Sequence, residues 1–161
     1  MHQKRLRGYK KLDYKVKSNF DVDSCADVLF DENDYFDAFA KDIERASNSI
    51  VISSPSMTKG GVGKMMEVIT AAIMNGICIL IITKSIDDYS IKVRPSVIKM
   101  HEAIKSSGID LLIKQNVYQK YACVDNYIVW FGSVNVLGYN NGESMMRIQD
   151  KEVARELMDS I

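Results

Sequence analysis

The chain has 161 residues and a mass of 18.2 kDa, the size of one compact domain with room for a short extension. Hydrophobic residues make up 47% and charged residues 26%, which excludes the disordered and collagen-like classes and leaves a chain able to bury its own core. Basic and acidic residues balance at 21 each, so the global sign of a nucleic-acid binder is missing, although a local basic face remains open.

The balance hides an asymmetry at the start of the chain. From Met1 to Lys17 there are seven basic residues (Lys4, Arg5, Arg7, Lys10, Lys11, Lys15, Lys17) against one acid, Asp13. Residues 1–20 therefore read as a basic N-terminal arm, either solvated or in contact with a phosphate backbone, and residues 21–161 as a single domain. No apolar stretch in the arm suggests a secretory signal, and no later apolar run is long enough to cross a bilayer, so a cytoplasmic protein without a membrane partner is expected.

Helices and strands alternate along the domain. Val28 to Phe30 reads as a short strand. Tyr35, Phe36, Phe39, Ile43 and Ala46 recur at helical spacing, and Ser49 to Ser54 reads as a strand. Val62 to Met74 reads as a helix ended by Asn75-Gly76. Ile77 to Thr83 is a nearly continuous apolar run suited to a parallel strand buried on both faces. A helix over Ser96 to Ser106, stopped at Gly108, and a strand over Ile109 to Ile113 extend the parallel arrangement. The pattern then changes to two β-rich runs, Lys120 to Val124 and Tyr127 to Phe131, around the turn pair Asp125-Asn126. A further strand, Ser144 to Ile148, and an amphipathic helix, Asp150 to Ile161, close the chain. The expected class is α/β, a mixed sheet flanked by helices.

Three cysteines, Cys25, Cys78 and Cys123, are odd in number and widely spaced, which fits reduced thiols. Neither His2 nor His101 stands near a cysteine at metal-ligand spacing, so no zinc site is expected. His2 reads as solvated, His101 as a mid-helix residue away from any site, and Trp130 as core or interface.

Two segments have the composition of phosphate sites. Lys59-Gly60-Gly61-Val62-Gly63-Lys64-Met65 follows a strand and precedes a helix, and resembles the deviant P-loop of partition-type ATPases. Met65 stands where that loop needs a magnesium-binding hydroxyl, Thr58 replaces its first glycine, and a glycine-rich β-to-α turn accounts for the segment without a nucleotide. No cofactor is implied.

The second segment is Tyr118-Gln119-Lys120-Tyr121-Ala122-Cys123-Val124-Asp125, followed by Gly132-Ser133-Val134-Asn135 and then Glu143. It resembles the phospholipase D-like superfamily, whose signature is H-x-K-x4-D followed by G-S-x-N. The resemblance extends from about Val28 through Ile161 and includes Ile50-Val51-Ile52-Ser53-Ser54-Pro55. It implies a phospholipase D-like mixed sheet and a metal-independent phosphodiesterase site, with a single motif copy completed by a homodimer. By the same resemblance Lys120, Ser133 and Asn135 bind phosphate, Asp125 orients its neighbours, and Glu143 orients the catalytic side chain. Tyr118 stands at the position of the nucleophilic histidine.

That replacement matters chemically. An imidazole titrates near neutrality and serves as nucleophile or acid, whereas an unperturbed phenol has a pKa of about 10 and stays protonated. The expected function is a nuclease-type domain that binds nucleic-acid phosphodiesters, DNA foremost, with impaired or absent hydrolysis. A tyrosine-based phosphodiesterase remains conceivable. The alternative is a non-catalytic DNA-binding or assembly module of a DNA-processing system, such as a helicase- or restriction-associated one. Tyr118, Tyr121 and Tyr139 could stack on bases or pack a dimer.

Overall fold

The computed structural model describes residues 28–138 and 140–161. The basic arm, Cys25, His2 and Tyr139 lie outside the described residues. Seven strands form one mixed sheet in the order β1-β7-β6-β5-β2-β3-β4. In chain order these are β1 (Val28–Asp31), β2 (Ser49–Ser53), β3 (Cys78–Lys84), β4 (Asp110–Lys114), β5 (Tyr121–Val124), β6 (Ile128–Gly132) and β7 (Ser144–Gln149). Strands β2, β3 and β4 are parallel neighbours, and every other pairing is antiparallel. The α/β class and the mixed sheet flanked by helices expected above are what the chain forms.

Four helices cover the sheet: α1 (Tyr35–Glu44), α2 (Lys59–Met74), α3 (Arg94–Ser106) and α4 (Lys151–Asp159). Alternation along the strands divides the core into two layers. On one face Ile50, Ile52, Ile81, Ala122 and Trp130 pack against Phe39 and Ile43 of α1, Met65 and Ile69 of α2 and Ile104 of α3. On the other, Val51, Ile82, Cys123 and Val129 pack against Ala154 and Leu157 of α4. Asp150 starts α4 by accepting the Glu152 and Val153 N–H groups at 2.7 and 3.2 Å, which satisfies two of the donors a helix start leaves open.

One boundary departs from the sequence reading. Lys59 to Val62 is not a loop but the first turn of α2. The Thr58 side chain caps it by accepting the Gly61 N–H at 3.1 Å, so that amide is spent on the helix rather than on a phosphate. Gly61 lacks a side chain because a Cβ there would meet the Leu137 carbonyl. Lys64 lies 3.8 Å over the Phe36 ring and fastens α2 to α1. Packing between α2, α1 and the segment after β6 thus accounts for residues that resemble a nucleotide loop.

Inside the larger core sits a polar group that the hydrophobic pattern conceals. The Arg147 guanidinium donates from Nε and Nη2 to the two Asp42 carboxylate oxygens at 2.7 and 2.9 Å, and Trp130 Nε1 donates to Asp42 Oδ2 at 2.8 Å. Asp42 is 1% exposed, and Arg147 and Trp130 are wholly buried. Trp130 is therefore core, packed between Phe30, tilted against it at 5.1 Å, and Phe39, edge-on at 5.6 Å between ring centres. His101 is also buried on α3, far from the motif segments in the sheet order, and burial with Lys105 nearby lowers its pKa. Cys78 and Cys123 are free thiols, and no group of metal-ligating side chains occurs among the described residues. No helix among them is long and apolar enough to cross a membrane.

Removing one member of the buried pair strands the other charge, an effect of about 3–5 kcal/mol. Asp42→Ala is expected to lose that much stability in urea unfolding, and the double variant Asp42→Ala/Arg147→Met to recover part of it. A single-variant loss below about 1 kcal/mol would show that the pair does not carry the core in this way.

Candidate functional site

The topology gathers most of the motif residues at one end of the sheet. That end holds the finish of β2 and β6 and the start of β5 and β7, because Ser53 pairs with Tyr121, Tyr121 with Phe131, and Gly132 with Met145. Lys120 immediately precedes β5, and its carbonyl accepts the Gly132 N–H at 3.3 Å. Ser133 and Ser144 exchange backbone and side-chain bonds, with Ser133 N–H donating to the Ser144 carbonyl at 2.9 Å and Ser144 N–H to Ser133 Oγ at 3.1 Å. Glu143 lies beside that pair, half-buried. A Cβ at Gly132 would collide with the Ser144 carbonyl, so the close approach of β6 to β7 at this end requires glycine.

Asn135 is held from three sides. Its backbone N–H donates to Asn140 Oδ1 at 2.7 Å, and Asn140 Nδ2 donates to its carbonyl at 2.9 Å. Ser56 N–H donates to Asn135 Oδ1 at 3.3 Å, which engages the amide oxygen and leaves Nδ2 as a donor for another acceptor. Lys120 forms no ion pair among the described residues. An ammonium without an ion-pair partner and an oriented amide donor are what a phosphate oxygen takes.

Supporting residues come from β2 and β3, and sequence reasoning did not single them out for this role. Ser53 Oγ donates to the Gln119 carbonyl at 2.8 Å and so fixes the segment carrying Tyr118 and Lys120. Ser54 Oγ accepts the Leu137 N–H at 3.1 Å, and Thr83 Oγ1 donates to the Ser54 carbonyl at 2.9 Å. The available signal was three hydroxyl residues at the ends of two otherwise apolar strands.

Tyr118 is 78% exposed. Its hydroxyl lies 3.4 Å from Asn116 Oδ1, and Asn116 itself takes a left-handed φ of 58° that turns the chain between β4 and β5. Tyr118 borders a cleft of about 340 Å³ lined also by Gln115, Asn116, Gln119, Ile82, Tyr121, Lys114 and Ile161.

Asp125 does not join this group. It sits at the opposite end of β5, in the β5–β6 turn, where Asp125 and Asn126 have φ of 55° and 51°. Its Oδ1 accepts the Asn48 and Ser49 N–H groups at 2.8 and 3.0 Å, and its Oδ2 accepts the Ser47 N–H and hydroxyl at 2.9 and 3.1 Å. Burial alone would raise this carboxyl, but the Ser47, Ser49 and Asn48 donors together outweigh it and hold the pKa below its ordinary value. The carboxylate clamps the entry to β2; it touches none of the other motif residues.

Residues 39–161 match the family described as cardiolipin synthase, PLD-like domain. Comparison with curated protein sequences finds no match. Among solved structures, NucT from Helicobacter pylori is similar with a TM-score of 0.67 and 20% identity, over 83% of this chain and 91% of that one. TrmBL2, described as an archaeal chromatin protein with a novel mode of DNA binding, is similar with a TM-score of 0.62 and 14% identity, over 99% of this chain and 56% of that one. Phosphatidylserine synthase from Haemophilus influenzae is similar with a TM-score of 0.54 and 13% identity, over 97% of this chain and 43% of that one. At these identities the likeness is one of fold, and the chain spans about half or less of the last two.

The Asp125 clamp has a pH signature. Its stabilisation is complete above the ordinary carboxyl value of 3.8 and is lost as pH falls through the lower native value, because the unfolded chain takes up the proton first. Urea unfolding between pH 2 and 6 is expected to show Asp125→Asn less stable by about 2 kcal/mol at pH 6. The gap should close toward pH 2, and a constant gap across that range would contradict the clamp.

Proposed function

The chain belongs to the phospholipase D-like family, and on that premise we propose that it binds nucleic-acid phosphodiesters at the end of the sheet where β5, β6 and β7 meet, with hydrolysis impaired or absent. The observation that carries the reading is the bond from Gly132 N–H to the Lys120 carbonyl, which sets the lysine beside the Gly132–Asn135 segment. In this reading Lys120 supplies positive charge and Asn135 Nδ2 a neutral donor to phosphate oxygens, while Ser133, engaged with Ser144 through its N–H and Oγ, holds the end of β6 against β7. Asp125 acts from a distance by fixing β5 against β2, and Glu143 borders the cradle.

Hydrolysis in the resembled family needs one group to attack phosphorus and a second to protonate the departing oxygen. Tyr118 occupies the attacking position. A homodimer, proposed here because the chain carries one motif copy, would set two such tyrosines together and still supply no imidazole. Binding then outlasts chemistry. The DNA binding named for TrmBL2 and the basic residues from Lys4 to Lys17 support nucleic acid as the ligand. Residues 1–20 as an arm and 21–161 as one domain belong to the same proposal.

The test compares the native chain with Tyr118→His on labelled single- and double-stranded DNA in EDTA, with sedimentation of both samples. The native chain is expected to bind with salt-dependent affinity, to sediment as a dimer and to leave the strands intact, and Tyr118→His to cut them. Cleavage by the native chain would overturn the loss of hydrolysis. A folded Tyr118→His variant that neither binds nor cuts would overturn the nucleic-acid reading.

A further inference from the structure

The cleft bordered by Tyr118 has no part in the proposed phosphate chemistry. Its volume of about 340 Å³ falls at the lower end of the range of about 300–1,000 Å³ in which small ligands are held. Gln115, Asn116 and Gln119 line one side of it, while Ile82 and Tyr121 contribute apolar and aromatic surface. No side-chain hydrogen bond engages Gln115 or Gln119 among the described residues. Lys114 and Ile161 line the cleft as well, but Lys114 Nζ is already bonded to the Ile161 carbonyl at 2.5 Å, and the amides can both donate and accept, which suits the mixed edge of a heterocycle.

We infer that this cleft is a subsite for an unpaired nucleobase, with the Tyr118 ring as its stacking surface. The inference rests on the phosphodiester reading above, and it gives the histidine-to-tyrosine position a purpose other than loss. Three features of the geometry support it. Tyr118 is 78% exposed, so its ring face is available to a ligand at little cost in stability. The segment is nonetheless anchored, by Ser53 Oγ on the Gln119 carbonyl at 2.8 Å and by the left-handed turn at Asn116, so the ring is presented from a fixed backbone. Tyr118 also stands two residues from Lys120, so one strand can place a phosphate at the lysine and its adjoining base at the ring. A base paired within a duplex has no free face to offer, which makes the ligand a single strand. The chemistry of an unpaired base is shared by DNA and RNA.

Fluorescence anisotropy tests this with labelled oligothymidylate, oligouridylate, an abasic strand of equal length and a blunt duplex, each titrated with the native chain, Tyr118→Ala, Tyr118→Trp and Lys120→Ala. Stacking on one aromatic ring is worth about 1–3 kcal/mol by alanine substitution, or about 5- to 150-fold in affinity. The native chain is expected to bind the base-bearing strands at least fivefold more tightly than the abasic strand and the duplex. Tyr118→Ala should erase that difference and Tyr118→Trp should retain it. Equal affinity for both thymidylate and uridylate points to stacking alone, and a preference for one identifies the source of the base; either outcome supports the subsite.

Lys120→Ala separates the two readings, since it should weaken all four ligands and reduce their salt dependence while leaving the base preference in place. If the abasic strand binds as well as the others and Tyr118→Ala changes nothing, the subsite is refuted while the phosphate cradle stands. If no ligand binds the folded native chain, the cradle and the subsite fall together. Thermal unfolding of each variant guards against a misfolded protein being read as a binding loss.

Discussion

The buried carboxylate–guanidinium pair between Asp42 and Arg147 fixes the arrangement on which the site depends. Arg147 lies in β7, Trp130 in β6, and Asp42 in α1, so a single carboxylate ties two adjacent strands to the helix that covers them. Two buried charges are costly to desolvate, and the cost is tolerable here because the guanidinium meets the carboxylate in a two-pronged contact and the indole N–H uses a further lone pair. Such bonds have narrow angular limits, whereas the surrounding Phe30, Phe39 and Met145 could pack in more than one way. The register of β6 against β7 follows, and with it the meeting of Gly132, Ser133 and Ser144 at the end of the sheet.

From that frame, polar residues divide into those that hold the backbone and those that remain for a ligand. Asp125 spends both oxygens on the Ser47–Ser49 segment, Ser53 and Ser54 spend their hydroxyls on neighbouring backbone, and Asn140 spends its amide on Asn135. Lys120, Asn135 Nδ2 and the ring of Tyr118 are left over. The division is physical: buried backbone groups must find partners, and the end of a mixed sheet exposes many of them at once.

Much of this was legible in the sequence. Among the described residues periodicity located the seven strands and the four α-helices to within a few residues, though not the short 3-10 turn Ile86–Asp88, and Asp125-Asn126 announced the hairpin because both residues tolerate a left-handed backbone. The spacing from Tyr118 to Asn135 marked the segments that meet. What escaped were contacts made across long separations. Asp42 and Arg147 look like ordinary surface residues in isolation, and nothing local reveals that they face one another 105 positions apart. The glycines near Lys59, read as a β-to-α turn without a nucleotide, prove to be a helix start that passes close to the Leu137 carbonyl, a contact that composition alone does not reveal. Asp125 keeps the motif spacing, but a strand carries its two ends apart, so residues adjacent in a motif need not be adjacent in a site.

The bond from Ser53 to Gln119 closes a span of 66 residues, whereas Lys120 meets Gly132 across a short hairpin. Closing a long span costs more chain entropy than closing a short one, and contacts between sequence neighbours form sooner. The lysine side of the site can therefore assemble within the β5–β6–β7 meander, before β2 docks. The tyrosine side waits for β2. During synthesis and refolding the two halves of one site thus mature in sequence, and the segment that presents the aromatic ring is the later to gain protection from exchange and proteolysis.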